Sequence, residues 1–194
     1  GSLGSYYSLR HYCAVDPCLG TMEDFDAFVA EAHRLGMKVL LDWIANHTAR
    51  DARWVTEKPA SWYERDASGA PAVPWDWTDT AKLNYAEREV WRAQGDAMEF
   101  WVREHGVDGF RCDMAMLVPI EFWNETAQRL RRVKPDLFML AEAEETYLFD
   151  GGAFDACYAW EMHHLMNDVA QQRVRVTSLR DYICLLYTSD AADE

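Results

Sequence analysis

The chain has 194 residues, 49% of them hydrophobic, which is enough apolar content for a sizeable core at a length compatible with one domain. A formal charge of −14, without any Lys/Arg cluster, makes nucleic acid and anionic membranes poor partners and favours a neutral or cationic ligand. Five cysteines without CxxC pairs or zinc-type Cys/His spacing exclude a recognisable zinc site, and their odd count gives no disulfide framework.

Residues 1–20 read as a loop rich in Tyr, Gly and Ser. Thr21 and Asp24 form a capping-box pattern, so a helix is predicted from there. Its apolar stripe is Phe25, Phe28, Val29, Ala32 and Leu35, and Gly36 is placed to end it. A strand over Lys38–Trp43 follows. The stretch from Ile44 to about Tyr85 shows little periodicity and carries Pro59, Gly69, Pro71 and Pro74 with Trp54, Trp62, Trp75 and Trp77. Loops this long in a compact domain usually have a function, and this one reads as a small excursion walling one side of the site. Between Glu87 and Glu104 a helical period returns through Val90, Trp91, Met98, Trp101 and Val102, with Gly106 as its stop. Then come a strand over 107–113, a helix opened by Pro119 and carrying Phe122, Trp123, Ala127 and Leu130, and a strand over Leu137–Glu142. Phe154–Trp160 is a candidate strand leading into a helix around Glu161–Gln171.

Three of these strands close on an acid: Leu40-Leu41-Asp42, Phe110-Arg111-Cys112-Asp113 and Leu140-Ala141-Glu142. Strands alternating with helices predict a parallel sheet, in which the C-terminal strand ends share one rim. Asp42, Asp113 and Glu142 are therefore expected together. Side chains alternate along a strand, so Arg111 and Asp113 share a face while Phe110 and Cys112 share the other. A guanidinium that close is expected to hold Asp113 ionised. Glu142 has no basic sequence neighbour and is followed by Glu144 and Glu145, which predicts a raised pKa. Nine Trp and nine Tyr supply flat faces on which neutral polyhydroxylated ligands stack, although most are expected in the core.

These motifs resemble those of the α-amylase family of glycoside hydrolases. Asp42-Trp43-Ile44-Ala45-Asn46-His47 is similar to its first motif, Gly109-Phe110-Arg111-Cys112-Asp113-Met114-Ala115 to its second, and Leu140-Ala141-Glu142 to its third. Ala81-Lys82-Leu83-Asn84 resembles a short motif near the end of the family's inserted domain. The resemblance implies an α/β fold, an incomplete (β/α)8 TIM barrel from the end of its second strand to the helix after its sixth. Residues 1–47 and 86–183 would belong to the barrel and 48–85 to a short inserted domain. It also implies an enzyme acting on α-glucan or maltooligosaccharide by a retaining mechanism, either hydrolase or transglycosylase. Asp113 would be its nucleophile, Arg111 its partner and Glu142 its general acid/base. By the same resemblance His47 would hydrogen-bond the reacting sugar, Tyr7 would stack on it, and Asp42 would brace the rim. No cofactor is required. Asn46 ligates calcium in many relatives, but Lys82 stands where they often carry an acid, and its charge argues against the ion.

Two departures stand beside the match. The family's fourth motif, an Asn-His-Asp that supplies a third catalytic carboxylate, has no counterpart, and Asn167-Asp168 reads as a helix surface. The chain is therefore expected to be an inactive fragment. Cys184–Glu194 breaks the rhythm of the elements, resembles a translated transposase adapter, and is set aside as a non-native tail. Two other readings exist: a non-catalytic amylase-like partner domain, which would keep the barrel without the acids, and an enolase-type barrel, which would want a Lys or His base on a strand end.

Overall fold

The computed structural model describes residues 4–190. The chain divides after Cys157 into two compact units, each taken by itself below.

The first unit begins with a loop and helix α1, Met22–Arg34, which carries the full capping box between Thr21 and Asp24. Strand β1, Leu40–Trp43, pairs in parallel with β4, Gly109–Cys112; β4 pairs with β5, Phe138–Ala141, and β5 with β6, Ala156–Cys157. The result is a four-stranded parallel sheet in the order β1-β4-β5-β6. Between β1 and β4 lie β2 (His47–Ala49), the short helix α2 (Arg53–Glu57), β3 (Thr80–Lys82) and the long helix α3 (Arg88–His105). Helix α4, Ile120–Val133, follows β4. Gly106 ends α3 in the left-handed region at φ 67°, where a side chain would be strained.

The core lies between one face of this sheet and α3 and α4. Trp43, Phe110, Cys112, Met139 and Ala141 all point into it, against Met98 and Trp101 of α3 and Phe122, Trp123 and Leu130 of α4. Phe110 and Cys112 are fully buried, as the strand alternation requires, and Phe110 meets Trp43 edge-on at 5.3 Å between ring centres. Gly109 has no freedom to be anything larger, since a Cβ there would sit 1.9 Å from the Phe138 carbonyl oxygen. At the end of the sheet opposite the acids, Asp108 collects the Val39 N–H at 2.9 Å, His33 at 2.7 Å, Lys38 at 3.1 Å and Lys134 at 3.2 Å. Burial works against its charge, but these partners outweigh it and hold the carboxyl well below its usual range. One acid thus ties the start of β4 to the start of β1 and to the ends of α1 and α4.

The stretch expected to be irregular contains an antiparallel pair. β2 and β3 join with His47 opposite Lys82, and a small apolar cluster of Trp62, Tyr63, Ala81, Leu83 and Val90 packs beside them. Strands of three residues are too short to leave a period in the sequence.

In the second unit, α5 (Trp160–Ala170) and α6 (Thr177–Asp190) pack together. Asn167 and Asp168 lie on α5, bonded locally to His163 and Arg173, the helix-surface position expected of them. The sequence pattern does not predict α6. It runs through Cys184–Asp190, where a break in the element rhythm was expected, and no Gly or Pro after Gly152 interrupts it. Residues 191–194 of the expected tail lie outside the described residues. Among the described residues no helix is long and apolar enough to cross a membrane.

Candidate active site

The three strand-end acids converge on one guanidinium. β1 and β4 pair with Asp42 opposite Arg111, and Arg111 Nη1 donates to Asp42 Oδ1 at 2.8 Å and to Asp113 Oδ1 at 3.0 Å. Its Nη2 lies 2.6 Å from Glu142 Oε1. The residue opposite Arg111 on β5 is Leu140, so Glu142, two positions on, extends over the same face. The gathering predicted from three acid-terminated strands is present, with an arginine at its centre.

One electrostatic expectation needs correction. Arg111 does not hold Asp113 at a low pKa: burial, then the negative charge of Glu142, push its carboxyl up to about 6 against the pull of Arg111. The Asp113 side chain is 9% exposed, and at that depth the desolvation of a carboxylate exceeds what one shared guanidinium returns. Glu142 has no basic residue beside it in the sequence, but Arg111 is its neighbour in space. The neighbour arrives across the sheet rather than along the chain, and Glu142 also accepts the Met114 N–H on Oε2 at 3.0 Å. That N–H is aimed by a backbone in the left-handed region at φ 44°, unusual for a side chain of this size and therefore invisible in the sequence.

Tyr7 and His47 sit around this centre. The Tyr7 hydroxyl donates to Asp42 Oδ2 at 3.0 Å, a bond that raises its pKa, and Arg111 lies 5.9 Å from the ring centre. His47 is buried, which lowers its pKa and favours the neutral ring; it contacts Asn46 Nδ2 through Nδ1 at 3.2 Å and packs on Trp77 at 5.3 Å. Asp79, which no motif signalled, anchors the loop bearing Tyr7 by accepting from the Ser8 hydroxyl and from the Ser5 N–H at 2.9 Å.

The model of the alpha amylase catalytic domain matches residues 4–79 and 57–190. The chain belongs to the alpha-amylase family. Its relatives include Alpha-amylase 3 of Dictyoglomus thermophilum, 30% identical over 164 residues, covering 70% of this chain and 32% of that protein. An Alpha-1,4-glucan:maltose-1-phosphate maltosyltransferase of Arcanobacterium haemolyticum is 37% identical over 154 residues, covering 74% of this chain and 22% of that one. The crystal structure of an alpha-amylase from Lactobacillus plantarum superposes with a TM-score of 0.84 at 35% identity, covering 98% of this chain and 48% of its own. The chain thus spans about a fifth to a third of these curated relatives and about half of the solved structure.

The calcium that family membership raises for Asn46 does not fit the residues present. The Asn46 side chain is buried against His47, and the cavity of about 320 Å³ beside it is lined by Lys82, whose ammonium pairs with Glu64 at 2.9 Å. Calcium wants six to eight oxygen ligands. Among the described residues no group of three His, Cys, Asp or Glu side chains is arranged to hold a metal, and the cation already in this cavity is a lysine.

Proposed function

We propose that this chain carries the nucleophile and the acid/base of a retaining glycoside hydrolase or transglycosylase that acts on α-glucosidic bonds of starch, maltodextrin or related oligosaccharides. The observation that supports it most is Arg111 within 3.0 Å of both Asp113 and Glu142. A retaining enzyme needs two carboxyl groups about 5 to 5.5 Å apart, close enough for one guanidinium to touch both, with one proton between them.

Asp113, ionised, attacks the anomeric carbon while Glu142 gives its proton to the glycosidic oxygen. The sugar is then held as an ester on Asp113, and Glu142 takes a proton from water or from an acceptor sugar hydroxyl, which displaces it. In the ligand-free site the buried Asp113 competes for that single proton. Substrate brings the glycosidic oxygen to Glu142, and Arg111 then has an ionised Asp113 to neutralise. His47, neutral through burial, hydrogen-bonds the sugar held there, Tyr7 stacks on it, and Asp42 fixes Arg111 from behind. The four-stranded sheet stands for the third to sixth strands of an eight-stranded barrel, with 48–85 as its inserted segment.

The chain alone is expected to be inactive, because the third carboxylate of the family's fourth motif is not among its residues. The test is a chimera in which residues 4–183 replace the matching segment of the Lactobacillus plantarum enzyme. It should release sugar of retained α configuration from maltooligosaccharides, and Asp113→Asn or Glu142→Gln should each lower kcat by about a thousandfold or more. A folded chimera without turnover would leave the non-catalytic partner reading. Turnover by the 194-residue chain itself would refute the expectation of inactivity.

A further inference from the structure

We propose that Trp75 is a stacking platform for a glucosyl unit outside the reacting subsite, so that the chain holds an α-glucan at a second point; this rests on the function proposed above. Trp75 is 63% exposed, and it occupies the second position of a turn, Pro74–Trp77, closed by the Trp77 N–H on the Pro74 carbonyl at 3.1 Å. Its φ is 48°. Positive φ at that turn position is the province of Gly, Asn and Asp, and for a bulky aromatic it is a genuine outlier. A glycine would make the same turn without strain, and a buried tryptophan would recover the strain through packing. Trp75 does neither. Strain held at an exposed ring points to something the ring does outside the protein.

Three further observations say what that is. The ring meets Trp77 edge-on at 4.7 Å, and Trp77 in turn packs on His47 at 5.3 Å, so a continuous line of rings leads outward from the candidate active site. Trp75 also forms one wall of the cavity of about 320 Å³, whose lining includes Asn46, Val73, Leu117 and the Glu64–Lys82 ion pair. That volume lies at the small end of the roughly 300–1,000 Å³ typical of small-molecule sites. An apolar face beside a carboxylate and an ammonium is the chemistry of a pyranose, whose C–H face stacks while its hydroxyls both donate and accept. Lastly, a chain of charge −14 disfavours an anionic occupant and leaves a neutral sugar unopposed.

The test uses the 194-residue chain with its indole nitrogens labelled by ¹⁵N, titrated with maltose, maltoheptaose and, as a β-linked control, cellohexaose. Maltoheptaose should move the Trp75 indole signal and cellohexaose should not. Trp75→Gly should weaken maltoheptaose binding about tenfold while leaving maltose binding within about twofold, and Trp75→Phe should restore most of it. Trp75→Gly should also melt within a few degrees of the wild type, since relief of the backbone strain offsets the lost edge contact with Trp77. Equal maltoheptaose affinity in wild type and Trp75→Gly overturns the inference, as does a Trp75 signal that stays still while that of Trp77 moves; both leave the proposed function standing. Equal response to cellohexaose overturns the α-glucan assignment of the platform. Silence of every indole overturns the platform, while turnover by the chimera decides the function independently.

Discussion

Asp113→Asn removes the one charge in the candidate site that burial opposes most, and it should stabilise the chain at neutral pH. The folded chain releases the Asp113 proton at about 6, the unfolded chain near 3.8. Stability from this group is therefore complete below about pH 3.8 and is lost as pH rises through about 6. At 1.36 kcal/mol per pH unit, the gap between the two values corresponds to about 3 kcal/mol. Asparagine keeps the shape of the protonated acid, so the variant and the wild type should be nearly equal at about pH 4. The difference should then grow in favour of the variant and level off above about pH 7 at about 3 kcal/mol, roughly 6–12 °C in Tm for a chain of this size. Urea unfolding of both proteins at intervals from about pH 4 to about pH 8 reads it directly. A flat difference, or a variant less stable than wild type at the alkaline end, would refute the reasoning and show that Arg111 outweighs burial.

Gly109→Ala should abolish the folded sheet, because its Cβ would fall 1.9 Å from the Phe138 carbonyl oxygen and no side-chain rotation relieves a clash with backbone; loss of a cooperative melt by circular dichroism checks it, and a transition within a few degrees of the wild type would sink it. Excess EDTA should leave the melting temperature unchanged and added calcium should not raise it, since Lys82 and Glu64 already supply paired charge beside Asn46. A calcium-dependent rise would show oxygen ligands that the present donor set lacks.

Much of this protein was legible in its amino-acid order because the signals are local. The Thr21–Asp24 capping box, Gly106 at the end of α3 and the alternation that buries Phe110 and Cys112 each depend on residues within a few positions of one another. Strands closing on Asp42, Asp113 and Glu142 were also visible, and parallel pairing then brought them together. What the order of residues could not carry is the depth of each group and the partners that reach it from far along the chain. Arg111 and Asp42 are separated by 69 positions, and Arg111 touches Glu142 from a neighbouring strand, so neither contact could be read from sequence neighbours. The pairing of β2 with β3, the left-handed backbone at Met114 and Trp75, and the Glu64–Lys82 pair beside Asn46 have the same origin. A pKa, a strained turn or a paired cation is set by desolvation and by contacts in three dimensions, and only the packed structure decides those.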